Sequence, residues 1–285
     1  MSERVLHFGV LGDSAAAGVG DSDEYGNSRG WSYYLAQAFD SPLVTLNVAR
    51  PGAQSAEVLN SQLPFISTIN PDIVAVIVGG NDLLRNGFKP ETFRNNLHGV
   101  LKRLQSLNCE ILLLELHDPT KILPIPRLLK QVLWRRVHEV NSVTRSLAQE
   151  FGTILLKADQ LPQTYNMKSW HFDRMHPSKY GHQNIANEFA RLLRARGWKI
   201  GEVEVNEPTP QSRKSGLMWM VRKGTPWFLK RSVDLLPCAV LLCVIEFFRE
   251  KWPLRAHTMG AEVIHPNFYR GREDYLPRIY EEKVS

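Results

Sequence analysis

Five residues of this 285-residue chain have the types and order that acyl transfer asks for: Ser14, Gly52, Asn81, Asp173 and His176. That chemistry needs a hydroxyl nucleophile, an imidazole to take its proton, a carboxylate to orient the imidazole, and donors facing the tetrahedral oxyanion. Ser14 lies in Gly12-Asp13-Ser14, Gly52 in Ala49-Arg50-Pro51-Gly52, and Asn81 in Gly79-Gly80-Asn81-Asp82. His176 lies in Asp173-Arg174-Met175-His176-Pro177, where an Asp three residues before its His can reach the ring across one turn. In this reading Ser14 attacks a carbonyl, His176 moves the proton and Asp173 holds the ring, while the amides of Ser14 and Gly52 and the Asn81 side chain receive the oxyanion. The plainer readings stay open: a capping serine at 14, turn residues at Asn81 and Asp82, rival histidines at His117, His171 and His182, and another carboxylate or a water in the place of Asp173. Glycine at 12, 52, 79 and 80 suits tight turns out of buried strands.

Such residues must be carried by strands that end near one another. Up to about residue 200, β-rich apolar runs alternate with amphipathic stretches, the pattern of a parallel sheet crossed by helices. The runs predict strands at Val5–Leu11, Val44–Val48, Ile73–Val78, Glu110–Leu116 and Thr153–Lys157, buried on both faces. Helices are predicted at Trp31–Phe39, Ala56–Ile66, Pro90–Leu107, Leu128–Phe151 and Ser178–Trp198, with Pro90 in a first turn and Ser178 as a cap. Each chemical block then falls just after a strand or before the last helix, where open α/β sheets bind ligands.

On these four blocks the chain resembles the SGNH or GDSL hydrolases, over roughly residues 4 to 200. The resemblance implies a flavodoxin-like three-layer α/β sandwich and an esterase, lipase or thioesterase activity. Carried over, it implies Ser14 as nucleophile, Gly52 and Asn81 as oxyanion donors, and Asp173 with His176 completing a triad. Ala15 stands where the family's name implies leucine. A dinucleotide GxGxxG and a phosphate-binding GK[ST] are both missing. Three scattered cysteines, Cys109, Cys238 and Cys243, suggest neither a disulfide framework nor zinc. The expectation is a serine esterase with no cofactor and no metal, acting on a small ester or acyl-lipid through an acyl-enzyme. The alternative is a catalytically idle module of the same fold, recruited to membranes by its tail.

Three units are expected: a hydrolase-type domain over 1–205, a Pro- and Ser-rich linker over 206–216, and a mostly helical or irregular extension over 217–285. Net charge is +6, and residues 208–285, with 13 Lys/Arg against 8 Asp/Glu, hold most of it. There, basic residues and tryptophans precede an uncharged run at 235–245, shorter than the ~20 residues that cross a bilayer. Peripheral contact with an anionic membrane is one reading, and packing on the domain as extra core is the other. With no recognised module, nucleic acid is not expected as a partner. The N-terminus shows no signal-peptide pattern, so a cytoplasmic location is expected.

Overall fold

A computed structural model describes residues 4–206, apart from Asn86, Pro124 and Pro162. The expected linker beyond 206 and the extension over 217–285, with its membrane reading, lie outside the described residues. Five parallel strands form one sheet in the order β2-β1-β3-β4-β5. They are β1 (Leu6–Gly12), β2 (Leu43–Asn47), β3 (Ile73–Ile77), β4 (Glu110–Glu115) and β5 (Ile154–Lys157), each within a residue or so of its expected bounds.

Alternation along the central strands builds the three layers. In β3, Ile73, Ala75 and Ile77 face one side with Phe8, Val10, Trp31 and Phe189, and Val74 and Val76 face the other with Leu97, Leu101 and Val137. The first core is closed by helices α1 (Gly30–Gln37) and α7 (Lys179–Ala195), which pack together, with the Trp31 and Phe189 rings 5.2 Å apart. Paired helices α5 (Pro90–Gln105) and α6 (Arg127–Phe151) cover the second. Each fully buried side chain of this size stabilises the fold by about 1.5–3 kcal/mol. The edge strand β2 departs from the expectation of two buried faces: Val44 is 54% exposed, and among the described strands β2 pairs with β1 alone at the margin of the sheet.

The helix expected over 56–66 is broken into α2 (Ser55–Glu57), a π-helical turn (Val58–Gln62) and α3 (Leu63–Ile66). Pro64, near the start of α3, has no N–H to donate, which disrupts regular α-helical bonding there. Pro90 opens α5, and the Ser178 hydroxyl accepts the Gly181 N–H at 3.2 Å to cap α7, both as expected. A short helix that the sequence pattern did not announce, α4 (Gly80–Leu83), follows β3 directly. Among the described residues, no helix is long and apolar enough to cross a membrane.

Candidate active site

The turn after β1 is shaped by close approach. Gly12 has φ +140°, and a Cβ there would sit 1.9 Å from the Ile77 carbonyl oxygen, so only glycine lets the end of β1 lie against β3. The next amide, Asp13 N–H, donates to that same carbonyl at 3.0 Å. From the π-helical turn, the buried Gln62 carboxamide grips Gly12 twice: Gly12 N–H donates to Oε1 at 2.7 Å, and Nε2 donates to Gly12 O at 2.9 Å. Ser14 thus leaves the sheet from an anchored residue.

The Ser14 hydroxyl lies 2.8 Å from His176 Nε2, and His176 Nδ1 lies 2.7 Å from Asp173 Oδ2. With the carboxylate accepting at Nδ1, that nitrogen carries the ring proton, and the Nε2 lone pair is left to receive the Ser14 proton. Asp173 also takes the backbone N–H groups of Met175 at 2.9 Å and His176 at 3.1 Å, which locks the turn. Burial works to raise the Asp173 carboxyl, yet its bonds with His171 and His176 hold it well below the usual carboxylate range.

None of the rival histidines contacts Ser14. His182 is fully buried, accepts the Trp31 N–H at 3.2 Å and donates to Val19 O at 3.1 Å, and burial pushes its imidazole down to about 4. His171 stands beside Asp173, with 3.5 Å between Nδ1 and Oδ2. His117 packs against Trp170 with 4.1 Å between ring centres and the rings tilted by 43°.

The chain after β2 stays bonded to β1, through Val48 N–H to Val10 O at 3.0 Å and Arg50 N–H to Gly12 O at 3.1 Å, which carries Gly52, φ +88°, toward the Ser14 turn. Asn81 enters the site from α4, its Nδ2 3.4 Å from Asp13 Oδ2. Burial raises the Asp13 carboxyl to about 6 against the Ala15 N–H that it accepts at 3.0 Å. Asp82 ties the two donor loops together, accepting Ser55 N–H at 3.0 Å and Ser55 O–H at 2.5 Å, and Asn96 Nδ2 donates to the same hydroxyl at 3.0 Å. The expected need for glycine at 80 does not hold: Gly80 lies within α4, and a Cβ there would meet only Asp13 Oδ2, at an ordinary 3.5 Å. Asp13, Gln62, Ser55 and Asn96 escaped the sequence reading. Asp13 stood in the motif itself, but Gln62 had no local signal because a π-helical turn aims it.

A cavity of about 210 Å3 opens at Ser14 and crosses the carboxyl ends of β3 and β4. Asn81 and His176 line it, whereas Gly52 is not among its lining residues. Its walls are largely apolar, with Leu83, Leu84, Leu116, Leu123, Leu133 and Val137 among the lining residues. The loops following β4 and β5 close it through Pro119, Leu161 and Trp170.

Against known proteins, residues 10–183 match the model of the GDSL-like lipase/acylhydrolase family. The thioesterase 1/protease 1/lysophospholipase L1 of Escherichia coli K12 is 28% identical over 186 residues, covering 65% of this chain and 81% of that protein. The esterase EstA of Pseudoalteromonas superposes with a TM-score of 0.54 at 22% identity, covering 67% of this chain and 97% of EstA. Axe2, an acetylxylan esterase of Geobacillus stearothermophilus, gives 0.53 at 17% identity, covering 66% and 94%. The order of the strands, the residues gathered at their ends and the matched span agree: this chain belongs to the GDSL-like lipase/acylhydrolase family.

Proposed function

We propose that the chain is a serine hydrolase that cleaves carboxylic esters, thioesters included, with an apolar acyl group. The observation that carries this reading is the continuous bonding from Ser14 through His176 to Asp173 at the mouth of an apolar cavity. The E. coli relative's name, thioesterase and lysophospholipase, supports the acyl side of it.

In the first half-reaction His176 Nε2 takes the Ser14 proton as Oγ attacks the carbonyl carbon. The negative oxygen that forms meets the Ser14 and Gly52 amides and the Asn81 side chain, donors that are each worth roughly 3–4 kcal/mol where they have been removed from such sites. The imidazolium, steadied by Asp173, then protonates the leaving oxygen or sulfur, and an ester joins the acyl group to Ser14. Water, deprotonated by the same imidazole, attacks that ester and frees the acid. The apolar wall from Leu83 to Val137 takes the acyl chain, and each buried methylene contributes about 0.8 kcal/mol of binding. A cytoplasmic location fits such a chain.

The test is hydrolysis of p-nitrophenyl esters graded from acetyl to palmitoyl by the full chain and by Ser14→Ala. Activity that disappears in the variant, with a preference for longer acyl groups, is the expected result. Equal hydrolysis by both proteins would show that Ser14 is not the nucleophile.

A further inference from the structure

Resting on that reading, we infer that Arg174 recognises a phosphate group on the leaving-group side of the substrate. Three observations converge on it. Among the described residues that line the cleft, Arg174 is the one Lys or Arg. Its carboxylate neighbours in that wall do not neutralise it: Glu115 is held by Arg145 through two bonds of 3.0 and 2.8 Å, and Asp13 is buried against the Ala15 N–H. Arg174 is exposed, and its guanidinium makes no ion pair or side-chain hydrogen bond with the described residues.

The backbone adds a second kind of argument. Among the described residues three that are not glycine have positive φ, Asn70, Asn108 and Arg174, and asparagine tolerates that region whereas a long side chain does not gain from it. At φ +55° glycine would be the undemanding choice, yet this position carries a long cation. Strain of this kind persists where surrounding structure enforces it and function uses it. Here the enforcement is visible: Arg174 N–H donates to His171 O at 2.9 Å, and Asp173 holds the amides of the two residues that follow.

The side of the substrate follows from the chemistry of the neighbour. His176 must face the leaving atom in order to protonate it, and Arg174 belongs to the same turn, whereas the apolar lining comes chiefly from α4, α6 and the loop after β4. A guanidinium presents paired N–H donors that match phosphate oxygens. Two leaving groups carry that chemistry, the phosphodiester headgroup of a lysophospholipid and the phosphates of a coenzyme A thioester.

The full chain, Arg174→Gly, Arg174→Lys and Arg174→Glu are assayed on lysophosphatidylglycerol, an acyl-coenzyme A and a p-nitrophenyl ester of one acyl length. The readout is the ratio of kcat/KM on each phosphate substrate to that on the p-nitrophenyl ester. Expected is a fall of roughly 10- to 100-fold in Arg174→Gly, carried by KM, a larger fall in Arg174→Glu, and partial retention in Arg174→Lys, all weakening as salt rises. A fall on one phosphate substrate names the source, and a fall on both means that the phosphate alone is read. An unchanged ratio on both overturns the inference.

Because Arg174→Gly relieves the backbone, its thermal midpoint should equal or exceed that of the wild type, which separates lost recognition from lost folding. A binding arm keeps the inference independent of turnover. Acyl-coenzyme A and the lysophospholipid are titrated into Ser14→Ala with and without Arg174→Gly. Matching affinities for both ligands overturn it even where no ester is cleaved, and failure of the full chain on the p-nitrophenyl ester speaks against the hydrolase reading instead.

Discussion

Replacing Gln62 tests whether the grip on Gly12 positions the nucleophile. Gln62→Leu keeps the side-chain volume but leaves Gly12 N–H, now bonded at 2.7 Å, without a partner in a buried site, while Gly12 C=O loses its 2.9 Å bond and keeps the one from Arg50 N–H. The stranded N–H costs about 1–3 kcal/mol, so unfolding should become easier by about that amount. Ser14 is two residues further on, and displacement of a reacting group by an ångström can cost about 100-fold in rate, so kcat should fall by up to that factor with KM changed little. Gln62→Glu sharpens the prediction. Its carboxylate still accepts the Gly12 N–H but turns a second oxygen toward Gly12 O, whereas the protonated acid can donate there. The carboxyl is thus raised in the folded state, and a group raised by folding contributes stability that is present at low pH and lost as pH climbs through its folded value. Gln62→Glu should therefore approach the wild type near pH 4–5 and fall below it at pH 8. Urea unfolding followed by tryptophan fluorescence, with kcat measured alongside, decides the matter: a loss below about 1 kcal/mol in Gln62→Leu with unaltered kcat would refute the reasoning.

Asp173→Asn should lower kcat by about 1000- to 10,000-fold while KM changes little, since an amide does not fix the protonated Nδ1 or stabilise the imidazolium; steady-state kinetics checks it. His182 is neutral in the fold, with its imidazole at about 4 against a reference of 6.5, so the unfolded chain takes up its proton first on acidification and the stabilisation is lost as pH falls from 6.5 toward 4. The stability difference between wild type and His182→Gln should shrink by about 2 kcal/mol from pH 8 to pH 5, and parallel urea curves at the two pH values would count against it. Val137→Trp narrows the cavity at its apolar lining. On the graded esters its kcat/KM should drop about 10-fold for the longest acyl group and hold for acetyl, whereas a uniform drop would place the acyl chain elsewhere.

What could be read from the sequence depended on how local the physics was. β3 and β4 are nearly continuous Val, Ile and Leu, a signature of two-sided burial that needs no knowledge of neighbours. β2 gives a similar run at an edge, and an apolar run does not say which strand ends the sheet. Ser14, Asp173 and His176 stood out by residue type and order. Asp173 to His176 is a contact inside one turn, and Ser14 to His176 follows once both stand at the same edge of a parallel sheet. Gln62 was hidden because its reach to Gly12 depends on one extra residue per turn in a helix that pattern alone reads as regular. The unusual backbone of Arg174 was hidden for the opposite reason: nothing about arginine announces positive φ.

Much of the cavity wall comes from two loops that Ser14, Gly52 and Asn81 do not share. Ser14, Gly52 and Asn81 follow β1, β2 and β3, while Pro119 and Leu123 follow β4 and Leu161 to Trp170 follow β5. Evolution can therefore lengthen, shorten or exchange the first of those loops, and the part of the second that precedes Asp173, as cassettes, changing which molecule is accepted while the bond-breaking apparatus is inherited intact. The same partition gives the engineer a rule: transplant segments 118–126 and 161–172 between relatives to move selectivity, and leave the first three crossovers alone.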